Sequence, residues 1–68
     1  MRIVLNGSEQ QLEDGALLSA ALAVLGVEAG TRGVAVALDG AVVPRGAWAE
    51  TALADGQRVE VLTAVQGG

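Results

Sequence analysis

The chain has 68 residues, of which eight are acidic and four are arginine, so its net charge is −4. It contains no Cys, His, Lys or Tyr, which excludes disulfides, thiolate or imidazole metal sites, Schiff-base chemistry and the commonest general bases. The acidic balance is unlike that of a nucleic-acid-binding protein. The longest apolar stretch, Ala16 to Val27, is well short of the ~20 residues that cross a membrane. We therefore expect one small cytoplasmic domain that binds neither nucleic acid nor membrane, and any catalysis of its own would have to rest on carboxylates and Arg.

The chain opens with a hairpin pattern. Met1 to Leu5 alternates as a strand, with Ile3 and Leu5 on one face. Asn6-Gly7 follows, and both residues tolerate the positive φ of a two-residue turn. Glu9 to Leu12 is then predicted as the antiparallel return strand.

A helix follows the hairpin. Asp14 is predicted as its N-cap, and Gly26 stands where a left-handed C-terminal cap belongs. Between them, apolar residues recur at helical spacing on one wide face. They are Leu18, Leu22 and Leu25, with Leu17, Ala21 and Val24 one residue earlier. This pattern is typical of a helix that packs across a sheet.

The second half of the chain begins with another hairpin. Val34 to Leu38 alternates as a strand, Asp39-Gly40 is the turn signal, and Ala41 to Val43 returns. Pro44 has no N–H to donate to a strand partner, so this return strand should be short and lie at a sheet edge.

The last segments are an irregular stretch and a final strand. Gly46 to Ala54 is predicted to be irregular or briefly helical, with Trp48 capping the small core. Asp55-Gly56 is a third turn, and Arg58 to Thr63 is the final strand, with Val59 and Val61 pointing inward and Leu62 outward.

Two strands, a helix and three more strands are the order of an α+β β-grasp (ubiquitin-like) fold. We expect a mixed sheet of four to five strands with one helix packed across it, formed by residues 1–63, and a flexible tail of residues 64–68. From the fold family, the first and last strands should be parallel neighbours at the centre. The predicted core comprises Ile3, Leu5, Leu18, Leu22, Leu25, Val36, Leu38, Val59 and Val61.

The chain ends in Gln66-Gly67-Gly68, and none of these side chains suits catalysis. One interpretation is a frayed terminus. The other is that a partner enzyme draws the tail into a narrow site and activates the Gly68 carboxylate with ATP. Glycine has no Cβ, so it permits the close approach that such a site requires.

The sequence resembles the sulfur carrier proteins of thiamine biosynthesis over its whole length. The matching stretches are Met1 to Gly7, Val34 to Leu38, Val42 to Arg45 with Trp48, Leu53, Asp55-Gly56, Val59 to Val61 and Gln66 to Gly68. Two positions depart from that family: Asp39 replaces a usual Asn, and Gln57 replaces a usual Asp. The second departure puts any role of that Asp in doubt here.

The resemblance implies a carrier that is a co-substrate of other enzymes. An adenylating enzyme similar to those that activate ubiquitin would convert the Gly68 carboxylate to an acyl-adenylate, with Gly67 and Gln66 threaded through its channel. A persulfide sulfur donor would then leave a thiocarboxylate on Gly68, and thiazole synthase would take the sulfur. The carrier would bind no cofactor or metal, because ATP-Mg would bind the partner.

A partner surface is also expected near the tail. Val4 and Leu62 point outward on strands that should be neighbours, and with Ala64 and Val65 they are the predicted partner contacts. Arg45 and Arg58 are interpreted as solvated surface charges, and the alternative is that they pair with acidic groups of a partner. Alternative functions are a sulfur carrier for molybdopterin, cysteine or a secondary metabolite, a ubiquitin-like protein modifier, and a β-grasp interaction module with an idle tail.

Overall fold

The computed structural model describes residues 1–64, which form a five-stranded mixed sheet with one helix on one of its faces. The elements are β1 (Arg2–Leu5), β2 (Ser8–Gln11), α1 (Leu18–Val24), β3 (Val34–Leu38), β4 (Ala41–Val42) and β5 (Arg58–Thr63), with a 3-10 turn at Arg45–Ala47 between β4 and β5. The strands lie in the order β2-β1-β5-β3-β4. This architecture confirms the predicted β-grasp fold and places the short strand β4 at an edge, next to Pro44.

Both hairpins turn where the sequence predicted. Asn6 has φ 48° and Gly7 has φ 83°, and Asp39 and Gly40 repeat these values at 48° and 85°. Positive φ at both central residues is the type I′ geometry, whose twist matches that of the flanking strands. The turns therefore set the registers of β1–β2 and β3–β4.

Strands β1 and β5 are parallel neighbours at the centre, as predicted, with Val4 opposite Arg58. The side chain of Asn6 extends this pairing beyond the end of β1. Its Oδ1 accepts a hydrogen bond from the Val61 N–H at 2.7 Å, and its Nδ2 donates to the Val61 carbonyl at 3.3 Å. The Asn6 amide thus makes the two hydrogen bonds with Val61 that the backbone of a longer β1 strand would otherwise make.

The predicted N-cap at Asp14 is wrong. The helix begins at Leu18, and its first N–H groups donate to backbone carbonyls: Leu18 to Thr51 at 2.8 Å and Ser19 to Trp48 at 3.1 Å. The Asp14 carboxylate instead accepts a hydrogen bond from the Met1 ammonium at 3.1 Å. Tertiary contacts supply the cap, so a local sequence signal for it was misleading.

The C-terminal cap at Gly26 is confirmed. Gly26 has φ 75°, its N–H donates to Ala23, and the N–H of Val27 donates to Leu22, both at 3.0 Å. This pair of bonds is the Schellman motif. The chain reversal turns Val27 into the core, where it is 7% exposed.

The core lies between α1 and the sheet. Its members are Ile3, Leu5, Leu18, Ala21, Leu22, Val27, Val36, Trp48, Leu53, Val59 and Val61. The prediction for Leu25 is wrong: it is 44% exposed, because the helix ends one residue before it and Val27 takes its place. Leu38 is only half-buried, although it packs against the core. The helix face is narrower than predicted, since Leu17 and Val24 are also exposed.

Candidate functional site: the end of β5 and its surroundings

The described chain ends just after β5, at an anchored residue. β5 ends at Thr63, and the N–H of Ala64 donates to the carbonyl of Gly33 at 2.6 Å. Ala64 is exposed. Val65, Gln66, Gly67 and Gly68, which include the predicted sulfur-carrying and threading residues, lie outside the described residues. The predicted division after residue 63 stays a prediction.

Among the strands that the structure describes, the last part of β5 is paired on one side only. Strand β1 pairs with the start of β5, at Arg58 and Val59, whereas β3 pairs with β5 as far as Thr63. Leu62 therefore stands 72% exposed where the sheet narrows. The predicted outward orientation of Leu62 is confirmed.

A groove lies beside the exit of the chain from β5, and we call it the tail-exit groove. It has a volume of about 410 Å³. Its lining residues are Gly33, Val34, Ala35, Arg45, Leu62, Thr63 and Ala64. Small and apolar groups dominate this lining, and Arg45 is the one charged side chain among the described residues that form it. The groove therefore offers an apolar surface with a positive group at one side.

Arg45 is held in place by two contacts with residues that do not line the groove. Its Nη1 donates a hydrogen bond to the carbonyl of Ala29. Its guanidinium carbon lies 4.7 Å from the centroid of the Trp48 ring, a cation–π distance. Trp48 is itself 3% exposed, and its Nε1 donates to the carbonyl of Val43 at 3.0 Å. The exposed guanidinium of Arg45 is thus packed against Trp48, which belongs to the core.

Sequence reasoning missed the contacts of Arg45 with Ala29 and Trp48, because it considered Arg45 only as a solvated charge or as a group that pairs with a partner. The signal was present in the spacing of Arg45 and Trp48, which are three residues apart in a segment that follows Pro44. In a 3-10 turn, side chains three residues apart lie on the same side. The prediction that Trp48 caps the core is confirmed.

Val4 and Leu62 lie on the same open face of the sheet but do not form a continuous apolar patch. Both line a wide groove of about 580 Å³. Arg58 and Glu60 line the same groove between them, and Val4 is half-buried. The role of Val4, Leu62, Ala64 and Val65 in partner binding stays a prediction.

The polar side chains around the Asp39 turn make hydrogen bonds that stabilise the fold. Asp39 accepts hydrogen bonds from the Arg58 N–H at 2.8 Å and from Gln57 Nε2 at 3.2 Å. Gln57 Oε1 accepts another from the Ala54 N–H at 2.7 Å. Both residues that depart from the family pattern therefore tie the β3–β4 turn to the start of β5.

Charged groups elsewhere pair at the surface. Arg2 Nη1 lies 3.1 Å from Glu9 Oε1, and this hydrogen bond, together with the charge of Glu9, raises the pKa of Arg2. Within residues 1–64, no group of three His, Cys, Asp or Glu residues is placed to hold a metal ion. No helix in that range is long and apolar enough to cross a membrane.

A protein-family model and two solved structures match this chain, and all three represent ThiS or thiamine biosynthesis proteins. The model of the ThiS family matches residues 2–68. A crystal structure of the thiamine biosynthesis protein (ThiS) from Geobacter metallireducens superposes with a TM-score of 0.78 at 31% identity, covering 100% of both chains. A solution structure of a thiamine biosynthesis protein from the same organism gives a TM-score of 0.74 at 29% identity, covering 100% of this chain and 88% of the other.

A longer relative contains a segment similar to the whole chain. It is a thiazole synthase from Paramagnetospirillum magneticum (strain ATCC 700264 / AMB-1), 34% identical over 68 residues. The match covers 100% of this chain and 20% of that protein. The chain therefore spans about a fifth of the length of this relative.

Proposed function

The chain belongs to the ThiS family of small sulfur carriers of thiamine biosynthesis, and we propose that the working group of this carrier is the main-chain carboxylate of Gly68. The observation that carries the proposal is that the family match extends through Gly67-Gly68. The composition supports it, because the chain has no Cys, His, Lys or Tyr that could take over covalent chemistry.

The proposed cycle begins with activation of a poor electrophile. An adenylating enzyme binds ATP-Mg, and the Gly68 carboxylate attacks the α-phosphate, forming an acyl-adenylate and releasing pyrophosphate. The terminal sulfur of a persulfide donor then attacks the acyl carbon and AMP leaves. A second thiol cleaves the resulting S–S bond, which releases the Gly68 thiocarboxylate and leaves a disulfide. The carrier itself binds no cofactor.

The chain contributes a narrow tail on a rigid base. Gly67 and Gly68 lack Cβ atoms, so enzyme groups are able to approach their backbone closely. Gln66 is the last residue before them with a side chain that needs room. Ala64, hydrogen-bonded to Gly33, marks where the rigid domain holds the chain. Because adenylation consumes ATP, we place the cycle in the cytoplasm.

We propose thiazole synthase as the acceptor of the sulfur. The support is the thiazole synthase from Paramagnetospirillum magneticum, which contains a segment similar to this whole chain. An enzyme that incorporates its own carrier-like segment indicates that the two activities belong to consecutive steps. The thiocarboxylate sulfur is then the nucleophile that enters the thiazole ring.

The test is the intact mass of the protein after incubation with ATP, the adenylating enzyme and a persulfide donor. We expect a mass change equal to one oxygen replaced by sulfur, located at Gly68 by fragmentation. An intact carrier joined through Gly68 to a lysine of another protein would instead identify a protein modifier. A thiocarboxylate that thiazole synthase does not consume would reject that acceptor.

A further inference from the structure

We propose that the tail-exit groove is the surface on which thiazole synthase docks, and that Arg45 pairs there with a carboxylate of the synthase. This inference rests on the proposed function, because it assumes that the synthase takes sulfur from Gly68. It adds the contact surface, a residue that determines specificity and the charge of the partner group that it meets.

The first argument is reach. Four residues follow Ala64, and a fully extended chain spans at most ~3.3–3.6 Å per residue, so the Gly68 carboxylate lies within roughly 14 Å of Ala64. Ala64 is fixed to the sheet through Gly33. For Gly68 to enter a buried active site, the protein surface around the mouth of that site must come against the surface around Ala64. That surface includes the tail-exit groove.

The second argument is the shape and chemistry of the groove. Gly33 and Ala35 give it small groups, and Leu62, which is 72% exposed, gives it a prominent apolar edge. Apolar cores with few charged groups are typical of the central part of a protein interface. Val42 is as exposed as Leu62, at 76%, but it does not line this groove.

The third argument is charge. The protein carries a net charge of −4, yet among residues 1–64 Arg45 is the only charged residue that lines the tail-exit groove. Complementary charges steer association and select partners. A carboxylate on the synthase would therefore be attracted to this groove, whereas most of the carrier's other charged groups would repel it.

The fourth argument is that Arg45 is already immobilised. The hydrogen bond to Ala29 and the contact with Trp48 restrict its side chain before any partner arrives. A long flexible side chain loses entropy when a partner orders it, and prior ordering reduces that loss. A planar guanidinium has five N–H donors in a fixed fork that matches a carboxylate. The hydrogen bond to Ala29 uses an N–H group of Nη1, and the other N–H groups of the guanidinium remain able to bind a carboxylate.

Thiazole synthase is chosen over the adenylating enzyme because one comparison supports it. The relative from Paramagnetospirillum magneticum bears the name thiazole synthase and contains a segment similar to this chain along its whole length. In that protein a segment similar to the carrier belongs to the same polypeptide as the synthase. The present chain, if it meets a separate synthase, needs a surface contact to raise the local concentration of Gly68.

The experiment measures the dissociation constant of the unloaded carrier, with Gly68 as a carboxylate, for purified thiazole synthase of the same organism. Four variants are compared: Arg45→Glu and Ala35→Glu in the groove, and Arg2→Glu and Val42→Glu as matched controls outside it. Arg2 is an exposed arginine on β1 that does not line the tail-exit groove, and its ion pair with Glu9 is a surface pair of small energetic value. Ala35→Glu removes neither the Ala29 nor the Trp48 contact of Arg45, so it tests the groove even if Arg45→Glu proves unstable.

We expect both groove variants to bind the synthase at least about tenfold more weakly, and both controls to stay within about twofold of the unchanged protein. Binding of the unchanged protein should also weaken as salt is added, and Arg45→Glu should lose that dependence. Arg45→Lys should recover part of the affinity, because it keeps the charge but not the planar fork.

Equal binding of Arg45→Glu, Ala35→Glu and the controls would overturn the proposal. Loss of binding only to the adenylating enzyme would also overturn it, because that result assigns the groove to the other enzyme. A carrier that binds the synthase through the groove but never gains sulfur at Gly68 would support the docking surface and reject the proposed function. The two failures are therefore distinguishable.

Discussion

The guanidinium of Arg45 lies over the ring of Trp48, with 4.7 Å between the guanidinium carbon and the ring centroid. Trp48 is buried and donates a hydrogen bond to Val43, so this contact connects the surface beside the tail to the core. It also gives the protein a built-in reporter, because Trp48 is its only aromatic residue. The emission of Trp48 therefore reports both on unfolding and on the position of Arg45.

Replacing Arg45 by Ala should lower the free energy of unfolding by about 1–2 kcal/mol. An exposed cation–π contact contributes about 0.5–1 kcal/mol, and the hydrogen bond to Ala29 adds a similar amount. The measurement is urea unfolding followed by Trp48 emission. A variant with unchanged stability and an unchanged emission spectrum would contradict the contact described here.

Replacing Leu22 by Ala should destabilise the fold by about 2–5 kcal/mol, because truncating a buried leucine leaves a cavity. Leu22 is 1% exposed and lies in the centre of the helix–sheet core. Leu25→Ala is the matched control, since Leu25 is 44% exposed, and we expect it to cost less than half as much. Similar losses for the two variants, in unfolding by heat or urea, would show that the helix does not present the face described.

Replacing Asn6 by Ala should lower the free energy of unfolding by about 2 kcal/mol. The change removes two hydrogen bonds between the Asn6 side chain and Val61. It also places alanine, whose side chain makes no hydrogen bonds, at φ 48°, a left-handed conformation that disfavours residues with a Cβ. Asn6→Gly removes the hydrogen bonds but accepts the positive φ, so it should be the less damaging change. If Asn6→Gly is as unstable as Asn6→Ala in urea unfolding, backbone conformation contributes nothing at this turn.

Replacing Leu62 by Asp should leave the fold intact and weaken binding to the adenylating enzyme or to thiazole synthase. Leu62 is 72% exposed, so its loss removes little buried area. Val4→Asp should act in the same direction but also lower the melting temperature, because Val4 is half-buried on a central strand. Affinities for both enzymes are measured for each variant and for the pair together. Unchanged affinity of the double variant would refute the predicted contact surface.

Much of the fold was predictable because the signals for it are local. Asn6-Gly7 and Asp39-Gly40 each specify a turn through their own backbone preferences, and Gly26 specifies the end of the helix. Asp14 misled because the helix N-terminus is capped by carbonyls from residues 48 and 51, which no local pattern reveals. Leu25 misled because a helix of seven residues ends before the third position of the repeat.

The proposed site at the end of the chain stays a prediction from the sequence, because residues 65–68 lie outside the described residues. Gly67-Gly68 stands out as a motif, and the absence of Cys, His, Lys and Tyr favours chemistry at its carboxylate. The tail-exit groove was not predictable, because it is formed by β3, β5 and the turn at Arg45, which are far apart in the chain. Only the pairing of β3 with β5 brings Ala35 next to Leu62.

Changes in the tail should separate activity from folding. Gly67→Val places a branched side chain where the tail must be thinnest, so we expect normal folding without adenylation. Deleting Gly68 moves the carboxylate back by roughly 3.3–3.6 Å. A misplacement of 1 Å is enough to lose about 100-fold in rate, so this variant should be nearly inactive. Both are measured as adenylation rate, by pyrophosphate release, with a melting curve as the control for folding.

The central claim, that sulfur is carried on the carboxylate of Gly68, is tested most directly by extending the chain with one Ala after Gly68. The intact mass of the extended and unchanged proteins is compared after incubation with ATP, the adenylating enzyme and a persulfide donor. We predict that the unchanged protein exchanges one oxygen for sulfur at Gly68, and that the extended protein does not, although the two melt at the same temperature. Formation of a thiocarboxylate by the extended protein at the unchanged rate, or sulfur found at any residue other than Gly68 in the unchanged protein, would contradict the mechanism.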